Sequence, residues 1–395
     1  MFQLKKLIKI TVLIYFFISA VILVTKVYSQ RSIFQERYNY KEYKRRFDQS
    51  QWIVTNKNKN IAVLSDADLY SFVASELLQQ KDPTVINFET PPLGKYLIAA
   101  SIMIFDNQRV VSLFFGTACL VLIYYLTFII TRSSTASLLS TSLTMTSWLF
   151  IDQLINSPQM DIFQLFFLLT MVIFFTLFEK KKQIKYLVIA SIASGAFASM
   201  KAFFIYLCFV IVWIGLYCFF KRKPLKMVIK NLIFIFFIAS GVYFFYYLNY
   251  FLYNHGTVVN LIKVQKWIIG FYTVNSPIET ARLIGSYLPL IYLNKWKFWS
   301  EGYPTIRYEN WSILWPVFHF LGWTSIAYLW FKNKIKGNTS LELLISFIVA
   351  YSIFLFFTPV WPRYLLLLFV PMYIVVSNFL LLFLEHIDAN FNLKG

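Results

Sequence analysis

Long apolar stretches recur from one end of the chain to the other, with short polar breaks between them. Each comes near the roughly 20 residues that cross a bilayer as a helix. The pattern predicts spanning helices at about 7–27, 108–131, 135–152, 161–178, 184–200, 203–220, 227–250, 312–331, 341–358 and 364–384. A β-barrel needs short alternating segments, and none is visible. The expected fold class is therefore an all-α polytopic membrane protein, a bundle of about 10 transmembrane helices forming a single domain over 1–395. Two long polar stretches, 28–107 and 251–311, interrupt the spans.

One apolar run does not fit. "LGKYLIAASIMIF" (93–105) follows two prolines and is too short to cross a bilayer. Short basic clusters lie at "EKKKQIK", "KRKPLK" and "KNKIK". Lysine and arginine in short loops favour the cytoplasmic side. With Lys5, Lys6 and Lys9 inside on an uncleaved first helix, all three clusters fall inside only if 93–105 does not cross. The run at about 91–105 is then an interfacial helix of the first outer loop. Pro91 and Pro92 suit its start, because proline is tolerated in a first helical turn and not in an interior. "LSDADLYSFVASELLQQ" predicts a second interfacial helix at about 66–80. Both polar stretches come out on the outer side, with both termini cytoplasmic.

Composition sharpens this reading. The 395 residues are 58% hydrophobic and 20% aromatic, with mean hydropathy +0.61, more apolar surface than a soluble domain can hide. The net charge of +19 sits largely in loop clusters, which serve topology and anionic lipid contact, so nucleic acid is not an expected partner. The three cysteines lie in apolar runs without metal-ligand spacing, and there are only three histidines. No disulfide frame or histidine-rich metal site is implied.

The topology gathers the unusual ionisable residues at the outer face. Ser65 and Asp68 have capping-box spacing, so Asp68 has a structural role open to it. Asp66 in the first turn either stabilises the helix dipole or stands as a carboxylate free to accept a proton. Glu89, before the proline pair, is a solvated loop acid or a second site carboxylate. Lys95 is a snorkelling lysine or a phosphate contact. Asp161 opens a span, and Lys201 lies alone between two apolar runs, where an ionisable group marks a site. Arg363 follows Pro359 and Pro362, and its planar fork suits phosphate. The loop cations Lys263, Lys266 and Arg282, with Trp267 and Trp299, suit lipid headgroups or a phosphate-linked sugar. Asp66, Glu89 and Asp161 are also the acids available to a divalent ion, though no cofactor is required. The chemistry that fits is transfer from a lipid phosphate, with cations on the departing phosphate and a carboxylate on an incoming hydroxyl. Intramembrane charges also mark transport paths, so a transporter, or a non-catalytic subunit, stands as the alternative.

These residues resemble the protein O-mannosyltransferases and their bacterial relatives, including the aminoarabinose transferase acting on lipid A. "ETPPLGK" is similar to an acid-His-Pro-Pro-Leu-Gly-Lys signature, with Thr90 in place of histidine. "DADLY" resembles an Asp-Glu pair followed by an aromatic, with Ala67 in place of the glutamate and Tyr70 as the aromatic. "QMDIFQLFF", "SGAFASMKAFF" and "PRYLLLL" resemble later family motifs at Asp161, Lys201, Arg363 and Tyr364. The resemblance implies a GT-C glycosyltransferase with two surface helices in its first outer loop. It implies a polyprenyl-phosphate sugar as donor and a hydroxyl on protein, lipid or glycan as acceptor. Asp66 becomes the expected base, with Arg363 and Lys201 as phosphate ligands, and a prokaryotic plasma membrane the expected location.

Overall fold

A computed structural model describes residues 2–53, 63–156, 158–270, 283–297 and 305–392. Arg282 and Trp299 lie outside them. Helices dominate, and the one β-type contact among the described residues is an isolated bridge between Trp296 and Ile306. In chain order the first polar stretch follows α1 (Phe2–Ser29) and holds α2 (Arg31–Gln35), α3 (Tyr40–Asp48), α4 (Asp66–Leu78) and α5 (Leu93–Phe105). The membrane part continues through α6 (Val110–Thr131), α7 (Ser134–Thr146), α8 (Trp148–Ile155), α9 (Met160–Lys181), α10 (Ile184–Ala198), α11 (Phe203–Phe220) and α12 (Leu225–Phe245). Next come α13 (Leu248–Leu252), α14 (Val258–Gly270), α15 (Tyr287–Leu293), α16 (Leu314–Phe331) and α17 (Thr339–Phe357). A 3-10 turn (Pro362–Leu365) leads into α18 (Leu366–Asn392).

Seven of these helices are long and apolar enough to cross a membrane: α1, α6, α9, α11, α12, α17 and the Pro362–Leu384 stretch. The other three expected spans take different forms. The 135–152 segment breaks at Ser147, whose extended backbone separates α7 from α8. The 184–200 segment is the 15-residue α10, and 312–331 is the 18-residue α16. α7 tolerates its many hydroxyls because they bond within the helix. Ser137, Thr141, Ser142, Thr144 and Thr146 each donate to the carbonyl four residues back. A polar side chain satisfied in this way leaves no donor facing lipid.

α9 and α18 are the most buried spans, and α1 lies at the periphery. Small residues allow close packing of α10 on α12. A Cβ on Gly195 would meet the Ala239 backbone at 2.8 Å. Without a hydrophobic drive between helices in lipid, such approach supplies the contact energy.

The basic clusters converge at one end of the bundle. Glu179, near the end of α9, accepts hydrogen bonds from Lys223 at 2.6 Å and Lys182 at 3.2 Å. Lys221 pairs with Glu342 at the start of α17, and Asn338 donates to the Ile130 carbonyl at 2.8 Å. Asp161, at the other end of α9, lies about 27 Å away at 1.5 Å per residue.

Gly195→Ala is expected to lower the unfolding temperature in detergent, since overpacking costs about 1–3 kcal/mol. Gly241→Ala on α12, where nothing lies within 4 Å, is expected to leave it unchanged.

Candidate active site

Four charged side chains from distant segments meet at the end of the bundle away from the basic clusters. Ser65 caps α4 by accepting from the Asp68 amide at 3.2 Å, so Asp66 is the first residue of the helix. Arg363 stands in the 3-10 turn that its neighbouring Pro362 starts. Its Nη2 donates to Asp66 Oδ2 at 2.5 Å, and its Nε lies 3.4 Å from Asp161 Oδ2. Asp161 occupies the first turn of α9 and is almost wholly buried. Its other oxygen accepts from Lys201 Nζ at 2.5 Å. Lys201, in the turn between α10 and α11, also lies over the Tyr364 ring at 3.5 Å.

Two carboxylates thus face two cations, with no net charge. Burial pushes the Lys201 ammonium down to about 8, and the Asp161 charge holds it from falling further. The Asp66 side chain is the accessible member, 40% exposed against 1% for Asp161. Tyr70 and Tyr364 stand within electrostatic range of Arg363, and the Tyr364 carbonyl accepts from the Tyr351 hydroxyl at 3.1 Å.

The Asn87–Pro92 turn supplies a second group. Both prolines are buried, and Pro92 is the N-cap of α5, which starts at Leu93 rather than 91. Glu89 is buried and within electrostatic range of Asp66. Lys95, expected as a snorkelling or phosphate-binding lysine, is 1% exposed. Its Nζ donates to the Asn87 carbonyl at 2.5 Å and the Thr90 carbonyl at 2.7 Å. One helical turn into α5, a side chain aimed back toward the N-terminus meets these carbonyls before it can reach water. Gly94 is needed for packing: a Cβ there would overlap Met160 Sδ, next to Asp161.

Other expected residues fall outside this group. Asp68 lies 3.5 Å from Arg46 of α3, so it joins α3 to α4 and supports the structural role. Lys263 and Lys266 are exposed on α14 and take no part in the Asp66–Arg363 ion pairs. Among the described residues no three His, Cys, Asp or Glu side chains gather to hold a metal ion. Asp66 and Asp161 face cations instead. Three participants were not singled out from the sequence as site residues. Trp361 lies under the Arg363 guanidinium at 5.3 Å. Asn87 bonds Glu89. Asp152, bonded by Asn156 at 2.7 Å, stands within electrostatic range of Arg363 and Asp161. An acid in the last turn of a helix opposes the helix dipole, and that was the available signal for Asp152.

Residues 89–247 match the family described as dolichyl-phosphate-mannose-protein mannosyltransferase. That match supports a glycosyltransferase of the GT-C type. A search of curated proteins finds no match. The matched region begins at Glu89 and includes Asp161 and Lys201. Asp66 and Arg363 lie on either side of it, and the fold brings them to Asp161 through tertiary contact.

Burial lowers the Lys95 ammonium to about 7 from its ordinary 10.5, with the Glu89 charge acting the other way. The unfolded chain therefore binds a proton that the folded chain does not between those values. Stability contributed by this site rises with pH across that window, by roughly 1 kcal/mol per pH unit at most. The unfolding midpoint of the wild type is expected to gain on that of Lys95→Met as pH rises from about 7. Parallel midpoints would show that Lys95 keeps its proton.

Proposed function

We propose that this transferase moves a sugar from a polyprenyl-phosphate donor to a hydroxyl acceptor with inversion, at the outer membrane face. The observation that carries this reading is the neutral set of four, Asp66 and Asp161 against Arg363 and Lys201. A phosphate is a competing anion for the same two cations. An arginine fork and an ammonium together suit the phosphodiester of the donor and the phosphate monoester that leaves. When the donor phosphate takes Arg363, Asp66 is left without its partner at the exposed edge of the site.

The chemistry then balances with these groups alone. Asp66 accepts the proton of the acceptor hydroxyl, and the acceptor oxygen bonds the anomeric carbon. The bond from that carbon to the phosphate oxygen breaks, and its electron pair leaves with the phosphate. Arg363 and Lys201 stabilise the charge that develops there. Asp161 holds both cations in place.

Charge bias supports the membrane orientation. The lysine clusters at the ends of α9, α11 and α16 belong inside by the positive-inside tendency. The four-residue site, at the opposite end of α9, then faces outward, and both termini are cytoplasmic. A prokaryotic plasma membrane fits the short connecting loops. The acceptor is a hydroxyl of protein, lipid or glycan.

Release of polyprenyl phosphate from short-chain polyprenyl-phosphate sugars tests the reading, with purified protein and a membrane extract as acceptor source. Asp66→Asn is expected to reduce release by about 10²–10⁴-fold while folding is retained. Arg363→Lys is expected to weaken donor binding more than it disturbs folding, because it keeps the charge and loses the fork. Undiminished release by Asp66→Asn would remove Asp66 from the mechanism.

A further inference from the structure

The Asn87–Thr90 turn holds two polar oxygens that the protein itself leaves unsatisfied. Asn87, Glu89 and Thr90 are only 6%, 7% and 8% exposed. Asn87 Nδ2 donates to Glu89 Oε1, so the two side chains lie side by side. Asn87 Oδ1 and Glu89 Oε2 are buried and have no hydrogen-bond partner among the described residues. A buried acceptor without a donor costs roughly 1–3 kcal/mol. Other buried polar atoms of the described residues also lack a partner, but here two acceptors stand on one short turn, its Glu89 within electrostatic range of Asp66, where a ligand can complete them.

The turn is built to stay in place at that cost. Asn87 takes a left-handed backbone, φ 50°. The Thr90 amide closes the turn on the Asn87 carbonyl at 3.3 Å. Lys95 then ties the carbonyls of Asn87 and Thr90 together from beneath. Phe88, between the two residues in sequence, packs its ring against Trp267 of α14, with centroids 3.9 Å apart. Trp267 is half exposed.

The missing partner must donate hydrogen bonds, and the same turn carries an aromatic pair, Phe88 with Trp267. A pyranose has both properties, hydroxyl hydrogens along its edge and an apolar C–H face. We propose that Asn87 and Glu89 form the sugar-recognition edge of the donor site, each accepting from a hydroxyl of the donor sugar, with Lys95 as the positioning residue that holds the edge. This deepens the glycosyl-transfer reading and rests on it. Phosphate anchoring and sugar recognition are then separate jobs. Arg363 and Lys201 hold the carrier, and the Asn87–Thr90 turn selects what the carrier bears.

The test measures binding of two probes to the full-length protein in detergent, a short-chain polyprenyl phosphate and the same lipid carrying mannose. Wild type, Glu89→Gln, Asn87→Ala and Lys95→Met are compared. In the wild type the mannosyl lipid is expected to bind tighter than the bare carrier. In Glu89→Gln and Asn87→Ala that advantage is expected to shrink by about 10-fold or more, while affinity for the bare carrier holds. Lys95→Met should behave likewise, with Lys95→Arg restoring neither carbonyl contact. If Lys95→Met does not fold, the wild type tested with monodeoxy-mannosyl lipids asks the same question. One or two of the analogues should lose the advantage that Glu89→Gln loses.

Equal weakening of both probes in the variants would overturn the assignment, as would equal binding of every deoxy analogue. So would a wild type that binds both lipids alike with mannose and with other hexoses. Turnover is read separately through Asp66→Asn. Sugar-dependent binding without Asp66-dependent release supports the recognition edge and counts against transfer. Asp66-dependent release without sugar-dependent binding does the reverse.

Discussion

Arg363 bridges two carboxylates that approach it from 297 and 202 residues away, Asp66 and Asp161, and the architecture of this end of the bundle depends on that bridge. A guanidinium near the edge of a membrane bundle needs opposite charge, because desolvation of an unpaired cation costs more than any single contact returns. The requirement fixes the start of α4 against the start of α18. Lys201 joins through Asp161, which brings the turn between α10 and α11 to the same place. Four segments with no local reason to meet are therefore held together by charge balance.

The two ends of the bundle use ion pairs differently. At the basic end, Glu179 is nearly buried and accepts from two lysines, and Lys221 answers Glu342. Those pairs join the ends of α9, α11, α12 and α17. They lie where the chain has surplus lysine, so each glutamate is outnumbered. At the other end cations and carboxylates are matched, and the most exposed member is an acid. A balanced group with an accessible carboxylate can exchange partners with an arriving anion. A cationic surplus only tightens around the acids it already holds.

Beside the ion pairs, α5 shows how a short apolar helix is fixed in place by its neighbours. Pro92 starts it, Gly94 lets it press on Met160, and Lys95 closes the turn beneath Glu89. Aspartate 106 ends it in a left-handed C-cap. The helix carries Glu89 to the Asp66 side of the site while leaving Met103 and Ile104 exposed on its far surface.

Helical class, a short apolar helix at 93–105 and the neighbourhood of Asp66, Asp161, Lys201 and Arg363 were legible from the chain. Each rests on a local property: run length, proline position, charge bias or an isolated ion in an apolar run. The break at Ser147 was not legible, since extended backbone at one serine leaves the hydrophobic pattern intact. Neither were the small helices α2 and α3, of which α3 packs on α4. Lys95 carried the widest gap. By pattern it was a lysine near an interface, equally suited to water, lipid phosphate or a donor. Only the folded turn decided that two main-chain carbonyls stand within reach of its Nζ. The sequence by itself determined which residues are charged and at which end of which helix they lie, because membrane burial makes charge placement a local energetic matter. Tertiary structure alone decided which charges pair and which acceptors remain open, because pairing is settled over a few ångströms between segments hundreds of residues apart.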